Sequence, residues 1–351
     1  MLSCASPTLL CAAFILVSSG CHAEDALPPI DGPAYTQAQQ MVQIVPGRRL
    51  NLYCIGEGSP TVVFEAGQGW PLVTWGHVQP VVAKKVRACS YDRAGIGFSD
   101  GSNRPGTAAN MVDDLHRLLT AASIKPPYVL VGHSFGGMVV RLYADTCPAE
   151  VVGMVLVDPA VEDQLSTFQK LDLQHRDMAK YRQETVEPDL EQGRQCVAAA
   201  KAGLVRGSEI YKQCTVEPLP ELSEAVNAAM VNNSARLEYH LADLSESENV
   251  FDLSADQVRA SRHSYGDMPL VVLTRGKWAP PKPNATRDEL AAAEARHQAW
   301  KHLHDDVAKL STRGTNEVVD GARHFISFDK PQAVIDAIDR ALVQTTAMQP
   351  H

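Results

Sequence analysis

Residues 128–137, with the sequence Tyr-Val-Leu-Val-Gly-His-Ser-Phe-Gly-Gly, constrain the fold of this chain more than any other segment. Residues 128–131 are a short apolar run that predicts a buried strand, and residues 138–144 have the pattern of a helix. The strand therefore ends in a G-x-S-x-G turn centred on Ser134. Such a turn strains the backbone of its central residue, and the flanking glycines let neighbouring elements pack closely.

Ser134 is a candidate nucleophile. Its hydroxyl would stand at the edge of the sheet, and the first N–H groups of the following helix have no carbonyl partners there. These groups lie near the position where a negatively charged oxygen would form during acyl transfer. The alternative is a glycine-rich turn without chemistry, but the position between a strand and a helix favours the nucleophile.

Composition limits the class of protein. The 351 residues are 45% hydrophobic and 21% charged, which is typical of one large globular domain with or without an insertion. The net charge of -9 and the lack of a long basic run argue against a nucleic-acid partner. Neither a C-x-x-C nor an H-E-x-x-H motif is present, so we expect no bound metal and no cofactor.

Residues 1–23 have the pattern of an export signal. The apolar run at residues 9–17 is too short to span a membrane, which needs roughly 20 residues. We therefore expect a periplasmic or secreted protein. Two processing sites stay open: cleavage after Ala23, or lipid attachment at Cys21, because Gly20-Cys21 resembles a bacterial lipoprotein site. Membrane association is expected only through that lipid.

Five of the eight cysteines lie beyond this segment. Cys196 and Cys214 are 18 residues apart in a polar helical region and are candidates for a disulfide in an oxidising compartment. Cys54 and Cys89 end apolar, strand-like runs. For this second pair a disulfide and two buried free thiols are both open.

Strands and helices alternate along much of the chain. Apolar strands are predicted at residues 61–64, 86–90, 128–131 and 151–157, with a helix at 107–122, after a hairpin at 40–55. Nearly continuous apolar strands indicate a parallel sheet covered on both faces. Strands at 269–273 and 316–319, a helix at 287–310 and a final helix from Pro331 continue the pattern.

Residues 160–267 interrupt the alternation and predict an inserted helical cap. Helices are expected at 164–202, interrupted at Pro188, and at 220–231 and 234–244. The predicted organisation is an export signal at 1–23, a first core part at 35–159, the cap at 160–267 and a second core part at 268–345.

Three motifs resemble the α/β-hydrolase family. They are the G-x-S-x-G turn, the Tyr-Asp-x-x-Gly-x-Gly-x-Ser loop at residues 91–99, and a Gly-x-x-His-Phe segment at residues 321–325. The resemblance covers residues 40–159 and 268–345. It implies an α/β fold of the α/β-hydrolase type, with a mostly parallel central sheet, helices on both faces and an inserted helical cap. It also implies Ser134 as nucleophile and His324 as its base, whereas His133 has no proton-transfer role.

The resemblance also implies the oxyanion donors. The backbone N–H groups of Gln68 and Phe135 would hold the oxyanion, although the glycines beside Gln68 are also explained as the end of a strand. Asp92 and Arg93 are expected to be structural, with an ion pair and loop hydrogen bonds at a tight turn.

The sequence offers several candidates for the acid of the triad. In most of the family it follows the strand at 269–273, but residues 274–281 contain no carboxylate. Asp158, at the end of the strand after the turn, is the preferred candidate. The other candidates are Asp288 or Glu289, and then Asp163. An Asp-Pro at a strand end is also a common turn or helix-cap device.

By resemblance, the function is that of a serine hydrolase acting on a small-molecule ester or another acyl substrate. A serine at the turn disfavours epoxide hydrolases and haloalkane dehalogenases, which need a carboxylate nucleophile. Two alternatives remain. An aminopeptidase-type peptidase would need a cap carboxylate such as Glu187, Glu191 or Glu221 to hold a substrate ammonium, and an inactive binding protein would retain only the fold.

Overall fold

The computed structural model describes residues 27–172 and 177–346, so the predicted export signal at residues 1–23 lies outside the described residues. Eight strands form one sheet in the order β1-β2-β4-β3-β5-β6-β7-β8. In chain order they are β1 Gln40–Val45, β2 Arg48–Ile55, β3 Thr61–Glu65, β4 Ala88–Tyr91, β5 Tyr128–His133, β6 Val151–Val157, β7 Leu270–Arg275 and β8 Gly314–Val319.

The sheet is mostly parallel. Only the pairs β1–β2 and β2–β4 run antiparallel, and every other neighbouring pair is parallel. The predicted hairpin and the predicted fold class, an α/β protein with a mostly parallel central sheet, are therefore confirmed.

Helices surround the sheet. They are α1 Pro33–Thr36, α2 Gln79–Val82, α3 Ala108–Ala121, α4 Phe135–Thr146, α5 Gln164–Leu171, α6 Met178–Thr185, α7 Glu187–Ala202, α8 Glu209–Cys214, α9 Glu224–Ser234, α10 Leu237–Val250, α11 Leu253–Ser261, α12 Arg287–Ala308, α13 Ile326–Asp329 and α14 Pro331–Thr346. None of the helices in the described ranges is long and apolar enough to cross a membrane.

The central strand β5 contributes to two apolar cores. Tyr128 and Leu130 belong to the core that contains residues of α3 and α4, whereas Val129 and Val131 belong to the core that contains residues of α14. Successive side chains of a strand point to opposite faces, so an all-apolar strand needs cover on both. This explains why the central strands β3, β5 and β6 lack the polar alternation of a half-exposed sheet.

Helices α5 to α11 fall between β6 and β7 in the chain, and several of their bounds differ from the prediction. Pro188 lies in the first turn of α7, so it begins a helix instead of interrupting one. Helix α9 begins after Ser223, whose hydroxyl accepts a hydrogen bond from the Val226 N–H at 3.3 Å, and not at residue 220. Helix α10 continues to Val250. The division into core and cap stays a prediction.

Both candidate disulfides are formed. Cys54 and Cys89 lie directly opposite each other on β2 and β4, and Cys196 of α7 is joined to Cys214 of α8. Cys147 is the free cysteine among the described residues. The choice left open for Cys54 and Cys89 is therefore decided in favour of the disulfide.

Removing the disulfide between Cys196 and Cys214 is expected to destabilise α7 and α8, which it joins. The double variant Cys196→Ser with Cys214→Ser should lower the free energy of unfolding by about 3 kcal/mol, because the closed loop limits the entropy of the unfolded chain. Urea unfolding followed by circular dichroism measures this change. Cys147→Ser is the control and should leave the unfolding midpoint nearly unchanged; equal effects of both variants would contradict the prediction.

Candidate active site

The turn between β5 and α4 has the strained geometry that the sequence predicts. Ser134 has φ 51° and ψ -121°, a conformation that non-glycine residues rarely adopt. A Cβ on Gly136 would lie 2.5 Å from the carbonyl oxygens of Glu65 and Ala66, and one on Gly132 would lie 2.5 Å from the Gly136 carbonyl oxygen. Glycine at both positions lets α4 approach the end of β3.

Hydrogen bonds on both sides hold Ser134 in this conformation. Its N–H donates to the Val157 carbonyl at 3.2 Å, and its own carbonyl accepts from the N–H groups of Gly137 and Ala160, each at 2.9 Å. The neighbouring strand β6 therefore fixes the backbone of the turn. The Ser134 side chain stays partly exposed.

Asp158 and His324 are joined by a hydrogen bond. The Nδ1 of His324 lies 2.6 Å from Oδ2 of Asp158, and Asp158 is fully buried at the end of β6. The other carboxylate oxygen, Oδ1, accepts from the Arg275 N–H at 3.0 Å and from the Trp300 indole Nε1 at 2.8 Å. The carboxylate is thus oriented on both oxygens, with the His324 ring as one partner.

The other candidate acids make different contacts. Asp288 and Glu289 are exposed in the first turn of α12, where Glu289 forms a capping box with Thr286. Asp163 pairs with Arg259 at 3.1 Å. Asp158 is the candidate that the structure brings to His324, and its catalytic role stays a prediction.

Asp158 is ionised at neutral pH. Burial raises the pKa of this carboxyl, but the hydrogen bond from His324 and the charge of Arg275 outweigh burial and hold the pKa at about 2. The Arg275 Nε lies 3.5 Å from Asp158 Oδ2. A negative charge on Asp158 favours the tautomer of His324 that carries its proton on Nδ1, which leaves Nε2 free to accept a proton.

His133 supports the His324 loop. Its ring centroid lies 4.6 Å from that of His324, and its Nε2 donates to the His324 carbonyl at 3.0 Å. Burial, together with the nearby His324, lowers the pKa of His133 to about 3, so its ring stays neutral. The contact places His324 directly beside the turn that carries Ser134.

The two proposed oxyanion donors are the N–H of Phe135, which directly follows Ser134, and the N–H of Gln68, in the loop after β3. Among the residues that the structure describes, neither the Gln68 N–H nor the Phe135 N–H has a hydrogen-bond acceptor. The Gln68 side chain is held separately, with Nε2 donating to the Ser247 hydroxyl of α10 at 2.6 Å. Two backbone donors without acceptors beside Ser134 have the arrangement of an oxyanion site, and that role stays a prediction.

Comparison with known proteins identifies the family. The sequence profile described as the alpha/beta hydrolase family matches residues 60–337. The chain belongs to this family. The uncharacterized protein YqjL of Bacillus subtilis (strain 168) is 28% identical over 283 residues, which are 81% of this chain and 83% of that protein. An AB hydrolase superfamily protein of Gibberella zeae is 32% identical over 116 residues, 32% of this chain and 35% of that one.

Solved structures share the fold of this alpha/beta hydrolase. The structure of the epoxide hydrolase CorEH without ligand matches with a TM-score of 0.62 and 16% identity, covering 86% of this chain and 98% of that one. At this level of identity the match supports the fold and carries no information on the substrate.

Three residues around Asp158 were not singled out by the sequence analysis. Arg275 lies with its guanidinium carbon 3.9 Å above the ring of Trp278, Trp300 donates to Asp158, and His304 donates from Nε2 to the Pro159 carbonyl at 2.9 Å. Arg275 is the residue with a signal in the sequence: an arginine stands at the end of β7, where a carboxylate was expected and is absent.

Asp243 of α10 brings a second carboxylate to the site of this hydrolase. Its Oδ1 lies 3.4 Å from Gln68 Nε2 and would be 2.5 Å from a Cβ on Gly69. Burial and the negative charge of Glu246 raise the pKa of Asp243 to about 6, against the lowering effects of the Gln68 hydrogen bond and the charge of Arg93. Among the described residues, no ion pair engages Asp243.

Asp243 should make the protein less stable as pH rises. Because its pKa is higher in the folded chain, the folded state binds more protons between pH 4 and 6, and stability falls across that window and then levels off. Asp243→Asn should flatten this slope and raise the free energy of unfolding at pH 7 by roughly 1–2 kcal/mol, discounted for partial exposure. Urea unfolding at several pH values tests this. Glu248→Gln, an exposed change on the same helix, is the control and should keep the wild-type slope.

Proposed function

We propose that this alpha/beta hydrolase is an exported serine hydrolase that cleaves carboxylic esters through an acyl-enzyme on Ser134. The observation that carries the proposal is the 2.6 Å hydrogen bond between His324 Nδ1 and the ionised, buried Asp158, beside a strained serine turn. Serine alone is a poor nucleophile near neutral pH, and it becomes effective when an oriented histidine takes its proton.

In the proposed first step, Ser134 Oγ attacks the acyl carbon of the ester while its proton passes to His324 Nε2. The carbonyl oxygen becomes an oxyanion that accepts hydrogen bonds from the N–H groups of Gln68 and Phe135. The bond from the acyl carbon to the alcohol oxygen then breaks, and His324 gives its proton to the departing alkoxide. Throughout, Asp158 stabilises the positive charge on the imidazole.

In the second step, water releases the acyl group. His324 Nε2 takes a proton from the water as the water oxygen bonds to the acyl carbon. The bond between the acyl carbon and Ser134 Oγ then breaks, and the proton returns to Ser134. The products are a carboxylic acid and the free enzyme, so the cycle needs no cofactor.

Aromatic side chains favour a substrate with an apolar group. Trp70 follows the proposed oxyanion loop, and its ring centroid lies 4.5 Å from that of Phe325, the residue after His324. Phe328 stacks on Phe325 with centroids 5.5 Å apart. A partly buried aromatic surface next to a nucleophile binds apolar acyl or alcohol groups well. The proposed substrate is therefore a small-molecule ester with an apolar portion.

Labelling and paired substitutions test the triad. A fluorophosphonate should form an adduct on Ser134 of the wild-type protein and none on Ser134→Ala; absence of the wild-type adduct would end the proposal. Asp158→Asn should lower kcat for ester hydrolysis by about 10²- to 10⁴-fold, because the imidazole loses its preferred tautomer. Asp288→Asn, an exposed change in α12, is the matched control and should keep wild-type activity.

Asp243 favours a second candidate, an aminopeptidase-type peptidase. A substrate ammonium needs a carboxylate near the oxyanion loop, and Asp243 lies there without an ionic partner among the described residues. The carboxylates considered from the sequence are placed differently. Glu187 and Glu191 are exposed and pair with Arg194, and Glu221 pairs with Arg323 at 3.0 Å.

A substrate panel separates the two candidates. p-Nitrophenyl esters of increasing acyl length and aminoacyl p-nitroanilides should be compared by kcat/KM. The ester proposal expects the esters to be the better substrates and Asp243→Asn to leave their KM nearly unchanged. A preference for aminoacyl anilides, with a KM that rises at least about tenfold in Asp243→Asn, would favour the peptidase instead.

A further inference from the structure

A buried arginine holds the loop that carries Gln68. Arg93 is 4% exposed and donates from Nη1 to the Ala66 carbonyl at 2.7 Å and from Nη2 to the Gly67 carbonyl at 2.6 Å. Hydrogen bonds from a guanidinium are short and directional because the donor is charged and planar. Two successive carbonyls of the loop therefore point at one side chain.

The bond to Gly67 fixes the direction of the Gln68 N–H. The Gly67 carbonyl and the Gln68 N–H belong to one peptide unit, and in a trans peptide these two groups point in opposite directions. Arg93, together with the Trp70 N–H that donates to the same carbonyl at 3.1 Å, therefore directs the Gln68 N–H away from the guanidinium. A Cβ on Gly67 would lie 3.3 Å from the Ser134 Cβ, so this peptide passes directly beside the proposed nucleophile.

Glu246 of α10 fixes the arginine and the loop together. Its carboxylate accepts from Nε and from Nη2 of Arg93, each at 2.8 Å, and Oε2 also accepts from the Gly69 N–H at 2.9 Å. On the other side, Glu65 of β3 accepts from Nη1 at 2.7 Å. Burial lowers the pKa of Arg93, but these two carboxylates outweigh it, so the guanidinium stays charged.

We propose that Arg93 and Glu246 are positioning residues that orient the Gly67–Gln68 peptide as an oxyanion donor, with α10 as an essential part of the arrangement. The inference rests on the proposed acyl transfer at Ser134. The charged hydrogen bond to the Gly67 carbonyl also polarises that peptide and makes its N–H a stronger donor. Because the oxyanion exists only during reaction, the two residues act on kcat and not on substrate binding.

Two substitutions test the proposal. Arg93→Lys keeps the charge but cannot bridge two carbonyls and Glu246, and Glu246→Gln keeps the size but removes the negative charge. Each should lower kcat for ester hydrolysis by about 10- to 100-fold, less than the 10²- to 10³-fold loss typical of a missing oxyanion donor, with KM nearly unchanged. The affinity for a phenylboronic acid, which forms a tetrahedral adduct on serine, should fall by the same factor as kcat/KM.

The matched control is a second buried ion pair that does not bond to this loop. Arg141 and Glu162 are 0% and 1% exposed at the side chain and are joined at 2.7 Å. Glu162→Gln also removes a carboxylate from a buried arginine, so it should lower the free energy of unfolding as Glu246→Gln does. It should keep wild-type kcat and boronic acid affinity once the rates are expressed per folded molecule.

The outcomes separate this inference from the proposed function. If a fluorophosphonate fails to label Ser134 of the wild-type protein, the proposed function is wrong. If the wild-type protein is labelled and hydrolyses esters, but Arg93→Lys and Glu246→Gln keep its kcat and boronic acid affinity, the positioning role is overturned. The same follows if Glu246→Gln loses no more activity per folded molecule than Glu162→Gln.

Discussion

The strained backbone of Ser134 is the constraint on which the rest of the site depends. A residue at φ 51° is kept there only if its surroundings leave it no alternative, and the two strands beside β5 supply that restriction. Strand β6 accepts the Ser134 N–H through Val157, while the end of β3 packs against Gly136. Parallel strands bring their carboxyl ends to one edge, so the same neighbours that hold the turn also deliver the proposed acid and oxyanion loop.

The geometry of the site also depends on two buried charged residues. Asp158 and Arg93 are each more than nine-tenths buried, and each meets a complete set of partners that offsets the cost of removing a charge from water. Around Asp158 the partners are a histidine, an indole N–H, a backbone N–H and Arg275. Removal of one partner would leave a buried charge unpaired. These two clusters therefore set the geometry of the site, and burying their charges costs free energy of folding.

The sheet and the strained turn at Ser134 were predictable because both follow from local patterns. Nearly continuous apolar strands predict a sheet that is covered on both faces. The position of Ser134 between a strand and a helix predicts the strained turn. The bounds of the helices between β6 and β7 were less predictable. Helix α9, for example, begins where Ser223 caps it, and the spacing of apolar residues does not indicate that position. The contacts of Arg275 and Trp300 with Asp158, and of Glu246 with Arg93, join residues more than 100 positions apart. A local sequence pattern cannot predict such contacts, because they form only when the fold brings the two residues together.

The position of Asp158 directly after β6 has a consequence for the segment that follows β7. Where an acid stands after β7, that loop must keep one length and one path to hold the histidine. Here Arg275, the last residue of β7, contacts Asp158 through its backbone N–H and its guanidinium, and residues 279–286 of the segment that follows are largely exposed. We therefore expect residues 279–286 to tolerate changes in composition without moving the Asp158 carboxylate, as long as Arg275 and Trp300 keep their contacts with it.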